Sequence, residues 1–286
     1  MITISTSNKL KKAYIFGAGH VGRNLLTQAM KEFEIIAFLD NDKTKWESTF
    51  DGFTIYKPEI IVDADYDVVI TASLAGFNLM IEQLIDLGVP QEKICTDYVV
   101  STVQSRIVFL ERLAWMFHEK GLQGCVAECG VFMGEFAREI NRVFPNHKFY
   151  LFDTFSGFDE RDVAHESKNQ YSELEAGHFN ITTEELVLSK LPNPNTCIIR
   201  KGYFPETTEG LDETFCFVNL DFDLYQPTLA GLEYFAPRMV KGGVILVHDY
   251  FAAGFRGVKA AVNDFNKANE YNVIPIGDGL SVLLPF

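Results

Sequence analysis

The chain has 286 residues, with 39 acidic against 25 basic ones and a net charge of −14. This charge disfavours a nucleic-acid partner, because affinity for a phosphate backbone depends on a basic face. No apolar run is long enough to span a bilayer, and the first residues lack a signal-peptide pattern. We therefore expect no membrane partner and a cytoplasmic location.

The first 97 residues are predicted to form one domain built on a parallel, Rossmann-like sheet. Apolar strands alternate there with amphipathic helices, a pattern typical of α/β folds. The predicted strands cover 12–17, 34–39, 53–56, 67–71 and the neighbourhood of Ile94, and the predicted helices cover 20–31 and 75–88.

A glycine-rich turn follows the first strand. Gly17, Gly19 and Gly22 fit the pattern GxGxxG at the start of a helix, where backbone N–H groups and the helix dipole can hold a pyrophosphate. Asp40 follows the second strand, near the position of a carboxylate that binds a ribose. The pattern predicts a bound NAD or nucleotide sugar, or else glycines that serve only the turn and the packing of the helix.

A resemblance bears on this first domain. It is similar to small N-terminal domains of polysaccharide- and sugar-modification proteins, and the similarity rests on YIFGAGHVGR at 14–23 and FLDND at 38–42. That resemblance implies a fold that binds a nucleotide sugar or a dinucleotide. No Tyr-x-x-x-Lys pair follows a strand, so we expect no active dehydrogenase.

A long amphipathic helix over 98–120 is predicted to link this domain to a second one over 121–286, since its apolar residues recur in steps of three and four. The predicted strands of the second domain cover 125–129, 148–152, 196–200, 214–220, 243–248, 272–276 and 280–285, and its helices cover 134–144, 182–190, 226–236 and 255–268. The tight turn at 277–279 makes the last two strands an antiparallel hairpin. The predicted fold class is therefore α/β, with two Rossmann-like doubly wound domains.

One segment of the second domain breaks this alternation. Residues 156–180 sustain no helical period and are predicted to be irregular. A loop this long in a compact domain is usually functional. We interpret residues 155–181 as a lid over the acceptor, with a plain exposed insertion as the alternative.

A second glycine loop differs from the first. Glu128, Gly130 and Gly134 follow the pattern E-x-G-x-x-x-G, and the acid before the turn suits a ligand that carries a cation and an amino-acid moiety. Asp153 ends the next strand, where an ionised carboxylate can accept both hydroxyls of a ribose. Together these signals predict an S-adenosylmethionine site rather than a nicotinamide site.

Acidic side chains also follow two later strands. Asp221 and Asp223 come after the strand at 214–220, and His248 and Asp249 come after the strand at 243–248. Because the carboxyl ends of neighbouring parallel strands face one crevice, we expect these side chains to converge beside the glycine loop. Oxygen ligands of this kind favour a hard cation such as magnesium over zinc.

At this point the sequence resembles the macrocin O-methyltransferase family. The matching segments are ECGVFMGEFA at 128–137, FDTFSGF at 152–158, KGYFPET at 201–207, VNLDFDLYQPTLAGLEYFAPRMVKGGVILVHDY at 218–250 and VKAAVNDF at 258–265. The resemblance implies a class I methyltransferase fold in the second domain, S-adenosylmethionine as the methyl donor, magnesium, and a sugar or other vicinal-diol hydroxyl as the acceptor.

The resemblance also implies roles for single residues. The donor would be bound by Glu128, Gly130, Gly134, Asp153 and Ser156. The metal would be bound by Asp221 and Asp249, with Asp223 beside them, and we expect Asp221 and His248 to act in catalysis, with His248 or Asp223 as the base.

This sequence departs from the family at one position, because the family usually has Asp-Asp where this chain has His248-Asp249. Either His248 ligates the metal, it serves as a base, or metal dependence has been lost.

Two other functions stay open on the sequence alone. Asp221-Phe222-Asp223 also fits the DxD motif of a metal-dependent glycosyltransferase, and a non-catalytic protein that binds a nucleotide sugar would keep both glycine loops. In each case the partner is a small molecule or a glycan. A homo-oligomer is compatible with the sequence.

Overall fold

The computed structural model describes residues 10–73 and 77–286, without the side chain of Asn78. The chain divides into two compact units, and the boundary between them lies between Thr102 and Val103. None of the helices in the described part of the chain is long and apolar enough to cross a membrane.

The first unit is built on a six-stranded sheet in the order β3-β4-β2-β1-β5-β6, in which only β3 is antiparallel to its neighbour. Its elements are β1 Lys11–Phe16, α1 His20–Glu32, β2 Phe33–Leu39, β3 Thr49–Phe50, β4 Phe53–Tyr56, β5 Val68–Thr71, α2 Phe77–Asp86 and β6 Ile94–Cys95. Residues 75 and 76 of the predicted helix 75–88 lie outside the described residues.

Helix α3, Asp97–Glu119, runs across the boundary between the units. In its second part Leu110, Leu113 and Phe117 are buried in the core of the second unit. The steps of three and four between these residues place them on one face of the helix.

The second unit is built on a seven-stranded sheet in the order β12-β13-β11-β10-β7-β8-β9. Its elements are β7 Cys125–Cys129, α4 Glu135–Val143, β8 Phe149–Asp153, α5 Glu160–Asn169, α6 Glu184–Lys190, β9 Cys197–Lys201, β10 Phe215–Leu220, α7 Tyr225–Phe235, β11 Met239–Val247, α8 Arg256–Asn269, β12 Ile274–Pro275 and β13 Val282–Pro285. The α/β prediction is confirmed.

The central strands of this sheet are apolar except for Glu128 and Asn219, because both of their faces are covered. Every residue of β7 and β10 is buried, as expected for parallel strands with helices on both sides. These two strands lie side by side although the chain passes through β8 and β9 between them. Their carboxyl ends therefore flank a switch point in the strand order, where ligands bind in folds of this type.

The predicted C-terminal hairpin is present. Strands β12 and β13 pair in antiparallel fashion, and β13 also pairs with β11. Asp278 closes the turn, since one of its carboxylate oxygens accepts the N–H groups of Leu280 and Ser281 at 2.9 and 2.7 Å.

The prediction that residues 156–180 are irregular is wrong in part, because α5 covers Glu160–Asn169. Asp159 caps this helix by accepting the N–H of Arg161 at 2.9 Å. The face that α5 buries carries Asp162 and Glu166. A helix that buries carboxyl groups shows no apolar period, which is why the hydrophobic pattern did not reveal it.

Candidate active site

Three polar side chains meet where two neighbouring strands of the second sheet end. Asp221 follows β10, and His248 and Asp249 follow β11. The Nδ1 atom of His248 lies 2.9 Å from Oδ1 of Asp221 and 2.6 Å from Oδ2 of Asp249. The side chains of Asp221, His248 and Asp249 are 20%, 11% and 6% exposed, so the cluster is mostly enclosed but open on one side.

Asp223 joins this cluster through Asp249. The two side chains share a hydrogen bond, and both residues have a left-handed backbone, with φ of 65° and 57°. Non-glycine residues avoid this region at a cost of about 1–3 kcal/mol, and such strain concentrates at functional sites. The structure thus brings together all four residues that the sequence placed at these strand ends.

Arg106 completes the cluster, although the sequence analysis gives it no role. This buried residue of α3 donates from Nη2 to Oδ2 of Asp221 at 3.0 Å and to Oδ1 of Asn219 at 2.9 Å. Its guanidinium also lies over the ring of Phe136, 3.7 Å from the centroid. An arginine in an amphipathic helix is usually solvated, so no sequence signal marked this one.

Asn219 extends the polar network to Glu128 on β7. Its Nδ2 donates to Oε1 of Glu128 at 3.1 Å. The other carboxyl oxygen, Oε2, is buried and has no hydrogen-bond partner among the described residues. Burial, and then the charge of Asp221, raise the pKa of Glu128 well above its usual range. Burial therefore favours the neutral form of this carboxyl, and a bound cation would favour its ionised form.

The charges of the cluster balance one another. Burial would raise the pKa of Asp221, but His248 and Arg106 outweigh it and hold that pKa well below its usual range. Burial and Arg106 would lower the pKa of His248, but Asp221 and Asp249 raise it to about 9. Burial and the two neighbouring carboxylates raise the pKa of Asp223 well above its usual range. At neutral pH the carboxylate of Asp221 thus faces the imidazolium of His248 and the guanidinium of Arg106.

The second glycine loop packs directly against this cluster. Gly130 has φ of +81°, and a Cβ atom there would lie 2.0 Å from the carbonyl oxygen of Asp221. Gly134, with φ of +82°, stands at the start of α4. Only glycine allows the loop to approach the end of β10 this closely, so the predicted donor loop and the strand-end residues form one site.

Asp153 holds the same loop in place. Its Oδ2 accepts the N–H groups of Val131 and Phe132 at 2.7 and 2.9 Å, and its Oδ1 accepts that of Phe155 at 2.7 Å. A carboxylate has about four acceptor positions, so one is left for a ligand hydroxyl. Ser156 stands apart from these residues: it is exposed, and its N–H donates to Oγ1 of Thr154 at 3.2 Å.

The segment predicted as a lid, residues 155–181, is hydrogen-bonded to the start of α7 through a buried glutamate. Oε1 of Glu166 accepts the N–H of Tyr225 at 2.7 Å, and Oε2 accepts the hydroxyl of Ser172 at 3.0 Å. Tyr225 is the first residue of α7 and stands two residues after Asp223. The lid segment is therefore coupled to the loop that carries the strand-end carboxyls.

An open groove of about 450 Å³ begins just after Asp249. The residues that line it are Tyr250, Phe251, Ala252, Ala253, Arg256, Lys259, Ala260 and Asn263. The Nζ atom of Lys259 lies 5.4 Å from the centroid of the Tyr250 ring. Aromatic walls with a few polar groups are typical of a small-molecule site.

In the first unit, packing accounts for two of the three glycines of the first loop. A Cβ atom on Gly17 would lie 2.5 Å from the carbonyl oxygen of Ala72, and one on Gly22 would lie 2.1 Å from that of Gly17. A Cβ atom on Gly19 would meet nothing within 4 Å. Packing therefore leaves Gly19 unexplained, and a ligand at this loop stays a prediction.

Asp40 plays the same structural part in the first unit that Asp153 plays in the second. Its Oδ2 accepts the N–H of Ala18 at 2.9 Å and the ammonium of Lys45 at 3.1 Å. Each glycine loop is thus tied to a carboxylate at the end of the second strand of its sheet.

Comparison with protein families gives two matches. Residues 100–277 match the family model described as Macrocin-O-methyltransferase (TylF), and residues 9–95 match the one described as C2185-like, N-terminal. Among proteins with curated descriptions, none matches this chain.

Several solved structures share the fold. The O-methyltransferase NovP is 20% identical, with 63% of this chain and 79% of its own covered and a TM-score of 0.52. The calicheamicin methyltransferase CalS11 is 17% identical, with 74% of this chain and 92% of its own covered and a TM-score of 0.54. The fold of the chain is therefore that of Rossmann-like class I methyltransferases.

Proposed function

The chain belongs to the macrocin O-methyltransferase family and is an S-adenosylmethionine-dependent O-methyltransferase, and we propose that it methylates a hydroxyl of a sugar or a related vicinal diol. The observation that carries the proposal is the contact between the Gly130 loop and Asp221, which joins a donor-binding loop to a cluster able to take a proton.

The donor half of the site would be built by Glu128, Gly130 and Asp153. The unpartnered Oε2 of Glu128 offers an acceptor for the ammonium group of S-adenosylmethionine. Asp153 keeps acceptor capacity for the ribose, and the close approach of the Gly130 loop leaves its backbone open to the ligand. An orphaned buried oxygen beside a glycine loop fits a cationic amino-acid ligand better than it fits a pyrophosphate.

The acceptor half would use His248 as the base. Two carboxylates hold Nδ1, and no described hydrogen bond involves Nε2. Because these carboxylates raise the pKa of His248 to about 9, the neutral imidazole, which can accept the proton of the acceptor hydroxyl at Nε2, is favoured at alkaline pH. As the oxygen attacks the methyl carbon, the C–S bond breaks, the O–CH₃ bond forms, and S-adenosylhomocysteine leaves. A positioned base of this kind contributes about 10²–10⁴-fold in rate. Asp223 is a poorer candidate, because burial and the two neighbouring carboxylates favour its protonated form.

These residues are a poor fit for the magnesium that the family resemblance implies. Ligand atoms of Asp221, His248 and Asp249 lie within 4.8 Å of one another, close enough to surround one ion. Magnesium, however, selects oxygen ligands, and one of these three atoms is a nitrogen that already contacts both carboxylates. The donor set is a poor match for magnesium, and we assign no step of the reaction to a metal.

Two measurements test the proposed function. S-adenosylhomocysteine should raise the melting temperature, whereas UDP and GDP should not. Incubation with S-adenosylmethionine and a panel of nucleotide sugars and glycans should then give a product heavier by one methylene group in a mass spectrum. Stabilisation by UDP or GDP alone would favour the glycosyltransferase alternative and overturn the proposal.

A separate result would contradict only the proposal that the acceptor is a sugar. Methyl transfer to catechols or other aromatic diols, with none to any sugar of the panel, would keep the methyltransferase and exclude the proposed acceptor. The open groove beside Asp249 is where we expect the acceptor to lie, with the Tyr250 and Phe251 rings as its walls.

A further inference from the structure

We propose that His248 and Arg106 replace the divalent cation at this site, so that methyl transfer by this chain proceeds without a bound metal. The inference rests on the proposed function for the reaction that the site performs, but its evidence is the local geometry. The N–H of His248 lies between Asp221 and Asp249, at the position where an ion shared by these two carboxylates would sit.

The carboxylates of Asp221 and Asp249 already have hydrogen-bond partners within the protein. Oδ1 of Asp221 faces Nδ1 of His248, and Oδ2 of Asp221 accepts from Arg106. Oδ2 of Asp249 faces the same His248 nitrogen, and the Asp249 side chain also shares a hydrogen bond with Asp223. Both carboxylates are therefore engaged by protein donors, and an ion would have to break these contacts before it could coordinate.

The positive charge of Arg106 also disfavours a divalent ion at this site. The guanidinium of Arg106 already pairs with Asp221, and the ring N–H of His248 faces both Asp221 and Asp249. A divalent ion added to this set would meet a guanidinium whose Nη2 lies 3.0 Å from a ligand oxygen. Repulsion between like charges at such distances is substantial in a partly enclosed site, so the ion would bind weakly.

The histidine at position 248 disfavours a hard cation as well. At position 248 the family usually has an aspartate. This chain has a histidine there, so the two carboxylate oxygens of that aspartate are absent and a ring N–H donor is present instead. The exchange replaces an oxygen-ligand position with a ring N–H that lies between the two remaining carboxylates. The remaining nitrogen, Nε2, can still accept the acceptor proton, so the exchange does not remove the base.

The decisive experiment is metal binding, measured without turnover on the full chain. Wild type and His248→Asp are stripped with EDTA, and Mg²⁺ is titrated by calorimetry and Mn²⁺ by electron paramagnetic resonance. We expect no saturable binding to wild type. His248→Asp, which restores the paired aspartates, should bind both ions saturably, and at least 10- to 100-fold more tightly than any residual binding to wild type, since even partners outside the ligand shell change metal affinity by about that factor.

The matched control is the double variant with His248→Asp and Asp249→Asn, in which the gained binding should disappear. Tight binding of Mg²⁺ or Mn²⁺ to wild type would overturn the inference. So would Co²⁺ binding to wild type with the visible spectrum of an imidazole ligand, because His248 would then be a metal ligand. Equal, negligible binding by wild type and a folded His248→Asp would also contradict it, since residue 248 would not be what excludes the ion.

Two further readouts separate this inference from the proposed function. Turnover of wild type should be unchanged by EDTA, whereas loss of activity with EDTA and its recovery with Mg²⁺ would contradict the metal-free site. If no acceptor is methylated, the proposed function fails while the calorimetry still decides the metal question. If His248→Asp does not fold, as judged by circular dichroism, His248→Asn replaces it, and metal binding to wild type alone remains decisive.

Discussion

Asp153 orders the loop that the sequence predicts to bind the donor. Its carboxylate accepts three backbone N–H groups, and the position that predicted a ribose partner is also the position that orders the donor loop. The sequence predicted a ligand for Asp153 but not its contacts with the loop, because the spacing of a motif does not reveal which backbone groups fold back onto a side chain.

Asp153→Asn should raise the Kd for S-adenosylhomocysteine roughly 10- to 100-fold, the equivalent of losing one or two hydrogen bonds to a charged group. Titration calorimetry measures the change. The matched control is Asp40→Asn, which alters the equivalent carboxylate in the first unit and should leave that Kd unchanged. An unaltered affinity in Asp153→Asn would exclude Asp153 from the donor site.

Asp162 offers a test of burial by pH. It is 5% exposed, it accepts the hydroxyl of Tyr203 at 2.8 Å, and burial raises its pKa to about 6 from 3.8. The folded state therefore binds this proton more tightly than the unfolded state does. The resulting loss of stability is absent below about pH 4, grows between pH 4 and 6, and is complete above that value.

Asp162→Asn should accordingly raise the free energy of unfolding by on the order of 1–3 kcal/mol at pH 7.5 and by almost nothing at pH 4. Urea denaturation at several pH values gives the difference. Asp159→Asn is the opposite control: the hydrogen bond from Arg161 lowers the pKa of Asp159, so its removal should never stabilise. A pH-independent effect of Asp162→Asn would show that its charge is not what destabilises the fold.

At the scale of elements, the two glycine loops look alike in sequence but differ in what their glycines do. In the second loop Gly130 is forced both by its backbone angle and by the carbonyl of Asp221. In the first loop Gly19 has φ of −128° and open space where a Cβ atom would be. The motif predicted both turns correctly, but only the packing tells which glycine is structural.

Gly130→Ala should destabilise the protein by about 2 kcal/mol or more, since it adds a left-handed non-glycine residue to a direct clash, and should abolish binding of S-adenosylhomocysteine. Gly19→Ala should change stability by no more than about 0.5 kcal/mol, as other unstrained substitutions do. Thermal and urea unfolding of the two variants, side by side, provide the measurement. A large loss of stability in Gly19→Ala would mean that this loop, too, is fixed by packing.

Helix α5 could not be predicted from the hydrophobic pattern of the sequence. Its capping residue Asp159 and the acidic first turn are visible in the sequence, but its buried face carries carboxyl groups. Glu166 is placed there because it accepts the first N–H of α7, a partner 59 residues away in the chain. A periodic search for apolar residues cannot find a helix whose contacts are polar and distant.

For the whole molecule, the division into two units predicts separable responses to ligands. Each unit has its own buried core. S-adenosylhomocysteine at about 100 times its Kd adds about 2.7 kcal/mol to the unit that binds it, enough to raise a melting temperature by roughly 5–10 °C. Scanning calorimetry should therefore show one transition that moves and one that does not.

The same experiment tests the predicted ligand of the first unit. NAD or a nucleotide sugar that binds the Gly19 loop should move the other transition and leave the donor-sensitive one in place. A single transition that shifts as a whole with S-adenosylhomocysteine would contradict independent unfolding of the two units.

The sequence alone determined the α/β class, both glycine loops, the terminal hairpin and the acidic strand ends, because these depend on local periodicity and on motifs that lie within one stretch of chain. Tertiary structure decided the rest. Arg106 donates a hydrogen bond to Asp221, 115 positions away in the sequence. Asn219 links Arg106 to Glu128 through two further hydrogen bonds. The raised pKa values of Glu128 and Asp223 follow from burial beside other carboxyls. Proximity and desolvation are properties of the folded chain, and no residue pattern specifies them in advance.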